Sequence, residues 1–286
     1  MAIAPRELSH FDLPGNGDGE PFTSPRRPDN GLPPPRMRAT HAGQLLQAAV
    51  AAVASGRARI QQRDPQIAAG EPGFYLEFAI PVAHATAIDA LENKPKHIEL
   101  VAVRPLSPGD ESVHATVFVP EASAEFFTKK IEQYRDENTR GGQPKNNALI
   151  ARVDDVRSVA SRALFTDLTE LFPAPGVAAW WEVWARDGKL ANVLAVAGRL
   201  GLAVQEERVR FPERDVVLIR GTSDQIEALV VNCDGVAELR AAKDTPSFFL
   251  AMGAVEQADW AGNLANRSLA PPQDAPPYCS PRPTNA

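Results

Sequence analysis

The apolar residues of this chain recur with strand spacing and helix spacing in a fixed order, and that order occurs twice. Phe74, Leu76, Phe78 and Ile80 alternate with Tyr75, Glu77 and Ala79, which predicts a strand with one buried face. A short helical stretch, HATAIDALENK, leads to two strands, HIELVAVRPL and SVHATVFVP, joined through a turn at Pro108 and Gly109. SAEFFTKKIEQYRDE then gathers Phe127, Ile131 and Tyr134 on one helix face and turns Lys129, Lys130 and Glu132 to water. Beyond the polar loop NTRGGQPKN, Leu149, Val153 and Val156 have helical spacing over residues 147–156, and residues 157–165 supply a closing strand. The sum is βαββαβ, the split arrangement of ferredoxin-like units.

The same order follows in AWWEVWARDG (strand), KLANVLAVAGRLG (helix, stopped at Gly201), AVQEERVRFP and DVVLIRG (strands), SDQIEALVVN (helix) and VAELRAAK (strand). No letter-level repeat links the two halves, so the duplication is one of pattern. The fold class expected is α+β: two tandem ferredoxin-like βαββαβ units preceded by a helix, with disordered Pro-rich termini. Residues 1–36 hold eight prolines and are expected to be disordered. Residues 37–72 form a helix, over 39–55 and closed at Gly56, and a linker; 73–172 and 173–252 are the two units; 253–286 is a tail in which order decays.

Composition narrows the function. A formal net charge of −6 gives no footprint for nucleic acid or for an anionic membrane. The most apolar early run, LLQAAVAAVA, is too short to span a bilayer, and no signal peptide is legible, so a soluble cytoplasmic chain is expected. Two cysteines, Cys233 and Cys279, make neither a disulfide framework nor a metal pattern. No metal or other cofactor is expected, because His114 has no second ligand at metal spacing and the glycines of GNGDG follow no strand.

Two motifs need weighing. Gly221, Thr222 and Ser223 are the letters that present the nucleophile of subtilisin-like proteases. They also open Thr222-Ser223-Asp224-Gln225, a capping box between a strand and an amphipathic helix, with Thr222 as cap and Gln225 reaching back. None of His10, His41, His84, His97 or His114 lies in a motif that would supply a base, so capping is the reading taken. In the cluster Trp180, Trp181 and Trp184, alternation puts Trp180 and Trp184 on one strand face and Trp181 with Val183 on the other, so at least one set is core.

The phrases HIELVAVRPL, ATVFVPEASAEFFTKKIEQYRDE, KNNALIARVDDVRSVASRALFTD, WWEVWARDG and ELRAAKDTPSFFLAM stand in this order between His97 and Met252, within a similarity that covers about residues 74–252. So arranged, they resemble the N-terminal, non-catalytic region of a group of bacterial subtilisin-like serine peptidases of the S8 family. In that group the region precedes a protease domain that opens on a strand ending in Asp-Thr-Gly. Here Asp244-Thr245 is followed by Pro246, the chain ends in PPYCSPRPTNA, and no catalytic residue can be carried over. The resemblance implies a propeptide-like folding, inhibitory or targeting module for a subtilisin-like protease domain, which lies in cis in relatives. It also implies a truncated product without the catalytic domain, and a neighbouring ATPase as a further partner. Lys243, Asp244, Thr245, Pro246, Ser247, Phe248 and Phe249 stand where such a propeptide's tail enters the protease cleft, binding by strand addition.

Two other expectations compete with this one. A free-standing ferredoxin-like ligand- or protein-binding adaptor would carry an ordered pocket between the two units. A hydrolase using Ser223 would lose turnover, with unchanged stability, on Ser223→Ala.

Overall fold

In the computed structural model the described residues are 37–104, 111–243 and 253–267, with side chains to 263 in the last segment. Among them, eight strands form two antiparallel sheets of four. The first unit runs β1 (Gly73–Pro81), a 3₁₀ segment (Val82–Leu91), β2 (Glu99–Arg104), β3 (Ser112–Pro120), α2 (Phe126–Asp136), α3 (Asn147–Ile150) and β4 (Asp155–Val159). The second runs β5 (Ala179–Arg186), α4 (Leu190–Arg199), β6 (Ala203–Arg210), β7 (Arg214–Gly221), α5 (Ser223–Asn232) and β8 (Val236–Ala241). Strand orders β2-β3-β1-β4 and β6-β7-β5-β8 are the same permutation, the ferredoxin-like one.

Three elements differ from the sequence expectation. α1 (Arg38–Ile60) passes through Gly56 instead of closing there, because a Cβ at that position would lie 2.4 Å from the Phe74 ring. That close approach seats α1 on the first sheet. Ala42, Leu45, Ala49, Ala52 and Val53 share one core with Phe74, Leu76, Phe78 and Ile80, each buried side chain of Leu or Val size contributing about 1.5–3 kcal/mol. α1 therefore fills the layer that the first crossover, here only a 3₁₀ segment, leaves open.

The helix expected over 147–156 is the single turn α3, and Val156 belongs instead to the closing strand, which starts earlier than 157 and pairs Val156 with Phe78. Leu149, Val153 and Val156 are buried all the same, since turn and strand both point them inward. In the expected tail, α6 (Ala254–Arg267) is helical, favoured by Ala254, Ala258, Ala261 and Ala265 and by the absence of proline. The Pro108-Gly109 turn, residues 1–36 and Cys279 lie outside the described residues.

The inner face of the second sheet, with Trp181, Val183, Val217, Ile219 and Leu239, is covered by Val193, Val196 and Ala197 of α4 and by Ile226, Leu229 and Val230 of α5. Tyr75, Val101, Ala102 and Phe118, from the outer face and edge of the first sheet, join this second core. The units are thus fused along a seam.

Candidate functional site

The capping box is formed. Gln225 N–H donates to Thr222 Oγ1 (3.3 Å) and Thr222 N–H to Gln225 Oε1 (2.9 Å), so the residues around Ser223 satisfy the first turn of α5. His41 and His97 have other roles. Buried His41 meets the Ile150 carbonyl at 3.1 Å, and His97 holds a left-handed turn before β2. His114 Nδ1 lies 3.4 Å from Oε1 of buried Glu77, a proximity the sequence did not disclose, without a hydrogen bond between them. Arg104 and Arg157 also pair with Glu77, so the outward side of β1 carries a carboxylate neutralised by two guanidinium groups.

The outer faces of the two sheets have different fates. On the first sheet, the apolar half around Tyr75 and Phe118 is covered by the second unit, and the Tyr75 hydroxyl donates to the Val236 carbonyl at 2.6 Å. Burial pushes the phenol pKa of Tyr75 above its ordinary value.

On the second sheet no described element covers the corresponding face. Val209, Val216 and Trp184 form one row across β6, β7 and β5, followed by Leu218 with Glu182 and then by Arg220 with Trp180. Trp184 stacks on Phe211 (centroids 5.3 Å apart, planes 9° apart) and lies beneath Arg240 (4.5 Å), so the ring is braced in place. Val209 is 54% exposed and Phe211 45%, while Trp180, Trp184 and Leu218 are half-buried. The alternation expected of the tryptophans holds, with Trp181 on the core face and fully buried.

Of the tail residues expected to bind a protease, Lys243 is tied to Asp167 (2.9 Å); Asp244, Thr245, Pro246, Ser247, Phe248 and Phe249 lie outside the described residues. Next to Lys243, the edge of β8 is already engaged. Phe165 forms a parallel bridge with Leu239, and Ala241 N–H donates to Asp167.

A cleft of about 340 Å³ opens at the seam. Glu92, Lys94, His97, Ile98 and Glu99 of the first unit face Arg186, Asp187, Lys189, Glu213 and Arg214 of the second across it. Arg186 donates through Nε to Glu99 (2.8 Å) and through Nη1 to the Asp234 carbonyl (2.7 Å), and its guanidinium lies 3.9 Å from the Phe118 ring centroid. Arg214 donates to the other Glu99 oxygen at 2.6 Å. Behind Lys189, Asp234 is fully buried. Burial alone would raise its pKa, but hydrogen bonds from Lys189, Asn192 and the Glu71 amide outweigh burial and hold the carboxyl below the usual range.

These features define an α+β chain of two fused ferredoxin-like units. No family model and no curated protein matches it. Among solved structures it is similar to the acetolactate synthase small subunit from Thermotoga maritima, with 10% identity over 58% of this chain and 91% of that one and a TM-score of 0.21. The strand order, not that likeness, defines the fold. Among the described residues no helix is long and apolar enough to cross a membrane.

Proposed function

We propose that the chain is a non-catalytic docking module of the propeptide kind, which lays the open face of its second sheet on a subtilisin-like protease domain. One observation carries this reading: of two equivalent sheet faces, one is filled by protein in its apolar half and the other presents Trp180, Trp184, Leu218 and Val209 to solvent. Such a face supplies the aromatic anchors of an interface, and Arg220, Arg240 and Glu182 supply a polar rim. The segment that follows β8 leaves from the same unit, as a propeptide tail must to enter a protease cleft. In this role the module assists folding of the protease, inhibits it or directs it to a target. In relatives, an ATPase encoded nearby is a further partner.

The test adds the full chain to the protease domain that follows this region in a relative. The chain is expected to change refolding yield or peptidase activity, and Leu218→Asp with Trp180→Ala is expected to weaken the effect by about a hundredfold, the loss typical of hot-spot anchors. Unchanged refolding and activity with the native chain would remove the proposal. The cleft at the seam favours a second reading, a ligand-binding adaptor.

A further inference from the structure

The docking reading leaves the seam cleft unused. Its charges are layered. At the floor, Arg186 is 5% exposed, with Arg214 and Lys189 more open, and these three cations face Glu99 and, behind Lys189, Asp234. Lys189 is also reached by Glu71 at 4.0 Å, so the positive charge in excess at the floor is centred on Arg186 and Arg214, which share the single carboxylate of Glu99. At the rim the exposed groups are Glu71, Glu92, Asp187 and Glu213, against Lys94 and His97, so the rim is negative. Among the described residues no acceptor meets Nη2 of Arg186, the remaining arm of a guanidinium otherwise fixed by Glu99, the Asp234 carbonyl and the Phe118 ring.

A positive floor beneath a negative rim rejects a plain anion at the mouth and a plain cation at the base. A molecule carrying both charges satisfies both layers. The volume, about 340 Å³, suits a small molecule, and the walls are held by ion pairs between the two units and need no ligand to form. We infer that this cleft binds a small zwitterion, its carboxylate at Arg186 and Arg214 and its ammonium group among Glu92, Glu213 and Glu71. Because the ligand touches both units, binding clamps the seam.

Isothermal titration of the full chain with glycine, 4-aminobutyrate and 6-aminohexanoate tests this, against butyrate and butylamine as carriers of one charge each. At least one zwitterion is expected to bind saturably and about tenfold more tightly than either single-charge compound. Glu92→Gln with Glu213→Gln changes exposed rim residues, keeps the fold by circular dichroism, and is expected to bring the zwitterion down to the affinity of butyrate. Equal binding of butyrate or butylamine, binding unaffected by the rim changes, or no binding of any zwitterion at millimolar concentration overturns the inference. The cleft shares no residue with the open face, so its failure and that of the docking proposal are separable.

Discussion

Asp234 shows how one buried charge organises its surroundings. Its carboxylate receives Lys189, Asn192 and the Glu71 amide, and Gly70, at φ 79°, passes so close that a Cβ there would lie 1.9 Å from Oδ1. Asp234→Ala leaves Lys189 with only Glu71, at 4.0 Å, strips Asn192 and the Glu71 amide of their buried acceptor, and is expected to cost about 3–5 kcal/mol in urea unfolding. The pH dependence has a definite sign. A carboxyl whose pKa is lower folded than unfolded stabilises the fold above about pH 4 and loses that contribution as pH falls through the folded value. Acid unfolding of the native chain is therefore expected to be steeper than that of Asp234→Asn. Next to it, burial pushes the Cys233 thiol up to about 12, so thiol reagents at pH 8 are expected to modify Cys233 only after denaturation. At the cap of α5, Thr222→Ala is expected to cost about 1 kcal/mol. Ser223→Ala is expected to stay within about 0.5 kcal/mol, and since a nucleophile there would leave stability unchanged as well, turnover separates the two readings.

At the scale of elements, β5 separates the core face from the open face within three residues. Trp181→Ala empties a fully buried site, donating its indole N–H to the Gly221 carbonyl, and is expected to cost about 3–5 kcal/mol. Trp184→Ala removes a ring braced at the surface and is expected to cost about 1 kcal/mol. Equal costs in denaturant titrations would mean that the open face is in fact core. Alternation alone predicted this division, because a strand side chain's direction is a local property. The succession of strands and helices along the second unit was legible for the same reason. The role of α1 was not legible, since nothing near Gly56 in sequence announces the Phe74 ring. The setting of Glu77 was hidden too: alternation turned it outward, while its burial depends on Arg104, His114 and Arg157 from three other strands. The cleft was beyond local pattern altogether, being assembled from four loop and strand ends that meet only after the units pack.

For the whole molecule, the question is whether two similar units behave as one. Their covalent linkers are each tied to the opposite unit. In the segment before β1, the Ile67 and Ala68 carbonyls accept from Arg199 and the Ala69 N–H donates to the Asn232 carbonyl, Arg199 and Asn232 being in the second unit. The segment after β4 runs along β8. Between them, Glu227 of α5 takes Arg59 of α1 and the Ser161 amide, while Glu99 takes Arg186 and Arg214. Opening the seam would strip partners from these charges and expose Tyr75 and Phe118 to water, a cost comparable to the stability of a single domain. One calorimetric transition is therefore expected, with van 't Hoff and calorimetric enthalpies equal. Glu99→Ala leaves Arg186 and Arg214 facing each other without their shared acceptor and is expected to cost about 3–5 kcal/mol. Tyr75→Phe, which removes only the bond to Val236, is expected to cost about 1 kcal/mol. Because Glu99 stabilises the contact and neither core, its loss should separate the transition into two before it lowers the melting of either unit. Two transitions already present in the native chain would mean that the seam is a weak contact, and that the cleft is not a preformed site.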